Sequence, residues 1–154
     1  MGYKFGKRSL ERLEGVHNEL RLVLHKAIQL TEVDFTVLEG VRSPERQQQL
    51  YDQGKSKTLN SRHLTGHAVD IAPIVNGKVS WNLKYYYIMA EAVQKAAKHY
   101  RTDIVWGAAW HTSINHSDLT PRELSEEYAA TRRRQRRSIF IDGPHFELDR
   151  STYD

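Results

Sequence analysis

Two long stretches in which apolar residues return every three or four positions, separated by short β-branched runs that glycine and proline close off, restrict this chain more than any other feature. From Ser9 onward, Leu10, Leu13, Val16, Leu20, Val23, Leu24, Ala27 and Ile28 keep that spacing, and Leu83, Tyr86, Tyr87, Ala90, Val93, Ala97 and Tyr100 keep it again later. Each stretch predicts one amphipathic helix with a single face turned to a core. A shorter helix is predicted from Ser43 to about Asp52. Ser43 is a capping residue, Pro44 fits the first helical position, Glu45 suits the first turn, and Gly54 follows the end. Phe35 to Val41, Gly66 to Ala72 and the Ile-Val-Trp of Asp103 to Gly107 read as strands. Pro73 should end the second of these, and Asn76-Gly77 should turn the chain. Ser138 to Ile141 and His145 to Leu148 read as two further β pieces, with the polar, arginine-rich stretch from about 111 to 137 inserted before them.

Composition enters where it limits chemistry. The 154 residues, 39% apolar and 27% charged, suit one domain spanning 1–154 with a real core. With no cysteine, disulfides and thiolate ligands are excluded, so a transition-metal site must use histidine and carboxylate. The N-terminus lacks the apolar run of a secretory signal, and no stretch approaches a membrane span, so the expectation is a product made in the cytoplasm. A net charge of +4 favours an anionic partner without choosing between nucleic acid and a phosphate-rich envelope.

Two clusters carry the chemistry: Ser61-Arg-His63-Leu-Thr-Gly66-His67-Ala-Val-Asp70, and Asp142-Gly-Pro-His145-Phe-Glu147. His63 and Asp70 are seven apart across a glycine, so a loop must fold back on a strand to bring them together. On an extended strand His67 points away from Asp70, which disfavours it as a ligand. Catalytic zinc takes three protein ligands and leaves one position open for water, and His63, Asp70 and His145 form a set of that kind. Asp142, three residues before His145 across a Gly-Pro turn, lies close enough to act as a base without ligating the metal.

The pattern Ser-x-His-x-x-Gly-x-Ala-x-Asp at 61–70, followed downstream by Asp-x-x-His at 142–145, resembles the D-alanyl-D-alanine metallopeptidase family. That family includes VanY-like carboxypeptidases and phage L-alanyl-D-glutamate endolysins, and the short lysins look most similar, with a start like Phe5-Gly6-Lys7. The resemblance implies a small α+β fold of the hedgehog and D-Ala-D-Ala peptidase type, with a short antiparallel sheet packed against two or three helices. It makes His63, Asp70 and His145 the ligands of one catalytic zinc ion, Asp142 the base, and Arg42 the residue that steadies a developing oxyanion. The substrate it implies is the stem peptide of peptidoglycan, cut between L-alanine and D-glutamate to lyse the bacterial wall. A phage lysin would act as a monomer after leaving the host cytoplasm through a holin-like pore. Two departures stand out. Many relatives carry Trp-Gly-Gly-Asp-Trp where this chain has Trp106-Gly-Ala-Ala-Trp110, and no acidic loop precedes the last histidine, so calcium dependence is not expected.

Other residues have plainer readings. Ser61 and Glu147 are candidates for orienting the imidazoles from behind, or for simple surface positions. Trp106 and Trp110 are expected in the core, while His111, His116 and Asp118 are expected in solvent. Arg132 to Arg137 reads either as a solvated face or as a docking patch for anionic envelope polymers. No aromatic residue interleaves those arginines, so nucleic-acid binding is disfavoured. Two rivals accompany the lysin reading: a D-alanyl-D-alanine carboxypeptidase or dipeptidase using the same machinery, and a non-enzymatic binding module with a structural zinc.

Overall fold

A computed structural model describes residues 2–153. The elements, in order, are α1 (Lys7–Arg12), α2 (Asn18–Leu30), β1 (Asp34–Glu39), α3 (Pro44–Asp52), a 3-10 turn (Arg62–Thr65), β2 (Ala68–Val75), β3 (Lys78–Val79), α4 (Leu83–Tyr100), β4 (Ile104–Trp106), β5 (Ala109–Ser113), α5 (Pro121–Arg134) and β6 (His145–Leu148). The strands form one antiparallel sheet in the order β1-β2-β6-β4-β5, with β3 also on β2. This is the expected α+β arrangement. Its core joins Leu20, Val23, Leu24 and Ala27 of α2 and Met89, Ala90 and Val93 of α4 to Val69, Ile71, Phe146 and Leu148 of the sheet.

The first apolar stripe is not one helix. It breaks over Leu13 to His17, where Gly15 takes a φ of +79°, yet Leu13 and Val16 stay buried, so the spacing survives the interruption. The break makes room for a close approach. His17 N donates to Gly66 O at 2.8 Å, and a Cβ on Gly66 would collide with Gly15 O. Gly66, at a φ of +76°, is also the left-handed cap that ends the 3-10 turn carrying His63.

The strand expected over 35–41 stops at Glu39, one residue beyond a bulge, because Gly40 presses against Arg12 O where no side chain fits. Pro73 does not end the second strand, which runs on to Val75. Ile71 N bonds Pro144 O, so the nitrogen of Pro73 faces the same side, and there it lies in the gap between β6 and β3, where a ladder hydrogen bond is not required. Asn76 and Gly77, with φ of 53° and 77°, make the expected turn into β3.

Residues 111–137 are built into the fold. Their start belongs to β5, and Pro121–Arg134 is a helix opened by a capping box between Thr120 and Glu123, with Leu124 and Tyr128 buried. Conversely, Ser138 to Ile141 forms no strand and leaves Ile139, Phe140 and Ile141 exposed.

Candidate active site

The sheet register supplies the centre. Asp70 on β2 and His145 on β6 are directly opposed partners on adjacent strands, so their side chains leave the same face side by side. His63 arrives from the 3-10 turn, and its own backbone N–H donates to Ser61 Oγ at 3.2 Å. Ser61 thus fixes the backbone of His63 rather than its ring. Both imidazoles meet the same oxygen: His63 Nε2 and His145 Nδ1 each lie 3.2 Å from Asp70 Oδ1. One ligand atom from each of the three residues falls within 4.8 Å of the others.

The outer nitrogens decide what the inner ones can be. His63 Nδ1–H donates to Gly40 O at 2.9 Å, and His145 Nε2–H donates to Glu147 Oε1 at 2.8 Å. In neutral rings this leaves the inner nitrogens as bare lone pairs, aimed at a carboxylate oxygen that is itself only an acceptor. Three acceptors converging on one point require a cation or extra protons between them. The donor set of two imidazoles and a carboxylate, with its outer hydrogens already satisfied, fits a divalent metal ion.

Arg42 follows β1 and is nearly buried. Its Nε and Nη2 donate to the Glu39 carboxylate at 2.7 and 2.9 Å, and its Nη1 donates to Gln47 Oε1 at 2.8 Å. That clamp leaves Nη2 3.6 Å from Asp70 Oδ2. Glu39 and Gln47 were not singled out in the sequence, although Gln47 lies on the inward face of the predicted helix. Asp142 is held by its backbone: its N donates to Gly107 O at 2.8 Å, and its O accepts from His145 N at 3.1 Å. A side chain at 107 would collide with Asp142 O, so the glycine is what lets this loop close on the sheet. Trp106 Nε1 pins the next residue by donating to Gly143 O at 2.8 Å. The Asp142 carboxylate makes no hydrogen bond to another described residue and faces a cleft of about 370 Å³ that His63, Asp70 and His145 also line. His67 lies outside that cleft, bonded to Thr65 Oγ1.

Trp106 is fully buried, as expected. Trp110 is not a core residue but a wall of the cleft, its ring 5.2 Å from that of His145. His111 and His116 pair with Glu127 and Asp103, and Asp118 pairs with Lys98, so none of them joins the cluster of His63, Asp70 and His145.

Residues 1–149 match the family described as phage L-alanyl-D-glutamate peptidase. The chain belongs to that family. It is 35% identical over 126 residues to an L-alanyl-D-glutamate peptidase of Escherichia phage T5, covering 79% of this chain and 92% of the relative. It is also similar to the crystal structure of the Serratia marcescens L-Ala D-Glu endopeptidase ChiX, with a TM-score of 0.74 and 36% identity over 97% of this chain and 93% of the other. The peptidase therefore places its candidate metal site on a fold it shares with an enzyme of that kind.

Electrostatics in the metal-free peptidase follow from this packing. Burial works against a charge on Asp70, but hydrogen bonds from His145 and His63 overcome it and hold the carboxyl well below the usual range. Burial likewise opposes a charged His145, yet hydrogen bonds to Asp70 and Glu147 push its pKa up to about 9. Burial, and then the negative charge of Asp70, raise Asp142. Because the folded pKa of His145 exceeds its usual 6.5, its stabilising contribution is complete below about 6.5 and is lost as the pH climbs through about 9. Chelator-treated peptidase should therefore melt at progressively lower temperature over that interval, while metal-loaded peptidase should gain stability as its ligands shed protons. Melting curves of both forms across the window check this, and a metal-free form that grows more stable with rising pH contradicts it.

Glu147 is the residue behind the candidate ligand His145. Its carboxylate accepts from His145 and is approached by Arg150 Nε at 3.5 Å. Replacing it by glutamine keeps an acceptor but removes the charge that makes the imidazole a better ligand, so metal affinity should fall by about 10–100-fold. Competition with a calibrated chelator measures the effect, and unchanged affinity would show Glu147 to be a packing residue only.

Proposed function

We propose that this peptidase is a zinc enzyme that hydrolyses the L-alanyl-D-glutamate bond in the stem peptides of peptidoglycan, an activity of the lysin type. The observation that carries the reading is the convergence of His63 Nε2, Asp70 Oδ1 and His145 Nδ1 in one cleft with a carboxylate, Asp142, that makes no hydrogen bond to another described residue. Zinc suits two imidazoles and one carboxylate, and when bound it supplies Lewis acidity that polarises a carbonyl and acidifies water.

The chain's own groups do the rest. Asp142 accepts the proton of the attacking water and returns it to the departing amine, so one carboxyl serves both halves of the reaction. Its burial favours this, because a raised pKa brings the carboxyl closer to the range where it both takes and gives a proton. Arg42, kept rigid by Glu39 and Gln47, offers positive charge to the oxygen on which negative charge develops. Lys55 and Arg150 line the cleft and complement the carboxylates of the D-glutamyl side. The substrate lies in the wall, and among the described residues no helix is long and apolar enough to cross a membrane.

Digestion of purified peptidoglycan tests the bond. New amino ends on D-glutamate, identified by mass, are expected. Release of terminal D-alanine instead would transfer the assignment to the carboxypeptidase class, and no cleavage by zinc-loaded protein would end the enzymatic reading.

A further inference from the structure

The cleft does not end at Trp110. A second groove of about 590 Å³ opens beyond that ring, and Lys57, Trp110 and Phe140 line both spaces. The partition is fixed from two directions: Trp110 and Phe140 stack with centroids 6.1 Å apart, and Trp110 Nε1 donates to Phe140 O at 3.1 Å. Across the groove, Tyr128 of α5 stacks on His111 of β5 at 5.9 Å, and His111 is anchored to Glu127 at 2.7 Å. Thr131 and Gln135 add neutral hydrogen-bonding groups, and no carboxylate lines the space among the described residues. Both cations there are already engaged, Lys57 over the Phe140 ring at 5.0 Å and Arg132 through its Nε to Ser138 O at 2.8 Å.

We infer that this groove is a subsite for an N-acetylated sugar of the wall glycan, next to the site of cleavage. The inference rests on the proposed substrate. In a stem peptide the L-alanine is joined directly to the lactyl group of muramic acid, so the scissile bond stands one residue and a short linker, about 7 Å, from a sugar ring. An enzyme cutting there meets that ring immediately outside its cleft. The groove shares a wall with the cleft, so its position fits. Its chemistry fits as well, because aromatic faces with a few neutral donors and acceptors suit the apolar faces and hydroxyls of an uncharged sugar better than a polyanion. The helix α5 that supplies Tyr128, Thr131 and, at its C-cap, Gln135 thereby gains a role in recognising substrate.

Two substitutions lie in the groove and outside the cleft: His111→Ala, which removes a stacked ring, and Thr131→Phe, which fills the space. Cleavage is compared on a disaccharide-linked stem peptide and on the same peptide without sugar. For the sugar-linked substrate each variant should raise KM at least about fivefold with kcat unchanged, a scale typical of losing one aromatic contact. The bare peptide should be cut as by wild type. Titration calorimetry with the free N-acetylglucosaminyl-N-acetylmuramic acid disaccharide gives an independent readout, with binding to wild type and weaker binding to both variants expected. Equal losses on both substrates, no loss on either, or a disaccharide that does not bind wild type would each overturn the subsite. If wild type cuts neither substrate, the proposed bond is wrong, and the disaccharide titration alone decides the groove.

Discussion

Asp142→Ala is expected to bind metal as wild type does and to lose cleavage by about 10²–10⁴-fold, the contribution of a well-placed general acid-base group. The two halves of that expectation rest on different observations. Metal retention follows because the three converging donor atoms belong to His63, Asp70 and His145, and each gets its orientation elsewhere: from Gly40 O, from the β2–β6 register and from Glu147. Loss of turnover follows because, among the described residues, Asp142 is the carboxylate lining the cleft that has no hydrogen-bond partner. Removing it also removes a negative charge near Asp70, so metal affinity should hold or fall only slightly, and the fold should survive because the loop is secured through its backbone. Bound metal measured by atomic absorption, together with muropeptide mass analysis, checks both halves. An active Asp142→Ala would show that the proton is carried by another group, and a metal-free one would make Asp142 a ligand.

His145→Ala should lose both metal and activity. One third of the donor set disappears, and the two carboxylates that flank the ring, Asp70 and Glu147, are left facing a cavity without the imidazole that separated and bonded them. Breaking a buried charge pair in this way typically costs about 3 kcal/mol, so the variant should also melt well below metal-free wild type. The melting comparison distinguishes the two effects. A variant as stable as the metal-free wild type yet inactive would mean that His145 serves the metal alone. Retained stoichiometric metal in a folded sample would end the assignment of the centre to these three residues.

The candidate site was more legible than the fold around it, for a physical reason. His63, Asp70 and His145 sit beside glycine, alanine and proline because backbones must pass closely there, and such spacing is visible in one dimension. Gly66 against Gly15 and Gly107 against Asp142 are the contacts behind it. The Ser43-Pro44 start and the Asn76-Gly77 turn were readable because local backbone geometry alone dictates them. The break between α1 and α2 was hidden because Leu13 and Val16 remain buried through it, so hydrophobic periodicity records burial and not helicity. Strand β5 was hidden by its composition, Ala-Trp-His-Thr-Ser, since an edge strand is only half covered. Conversely, Ser138 to Ile141 is β-prone in composition yet pairs with no strand, and the structure leaves Ile139, Phe140 and Ile141 exposed. Helix α5 does leave a mark in the sequence, since Thr120-Pro-Arg-Glu123 is a capping signature, but the arginines that follow make its surface polar and mask the apolar spacing of Leu124 and Tyr128. Trp110 as a wall of the cleft left no such mark, because its place depends on Phe140, thirty residues away.

The pairing of Asp70 with His145 across β2 and β6 also sets a timetable for the molecule. These neighbours are 75 positions apart along the chain, so a growing polypeptide carries His63 and Asp70 with nothing to complete the set until that whole intervening stretch has been made. Folding of β6 and assembly of the candidate metal site are thus a single event. A chain cut short before His145 carries two of the three converging donors and cannot close the set.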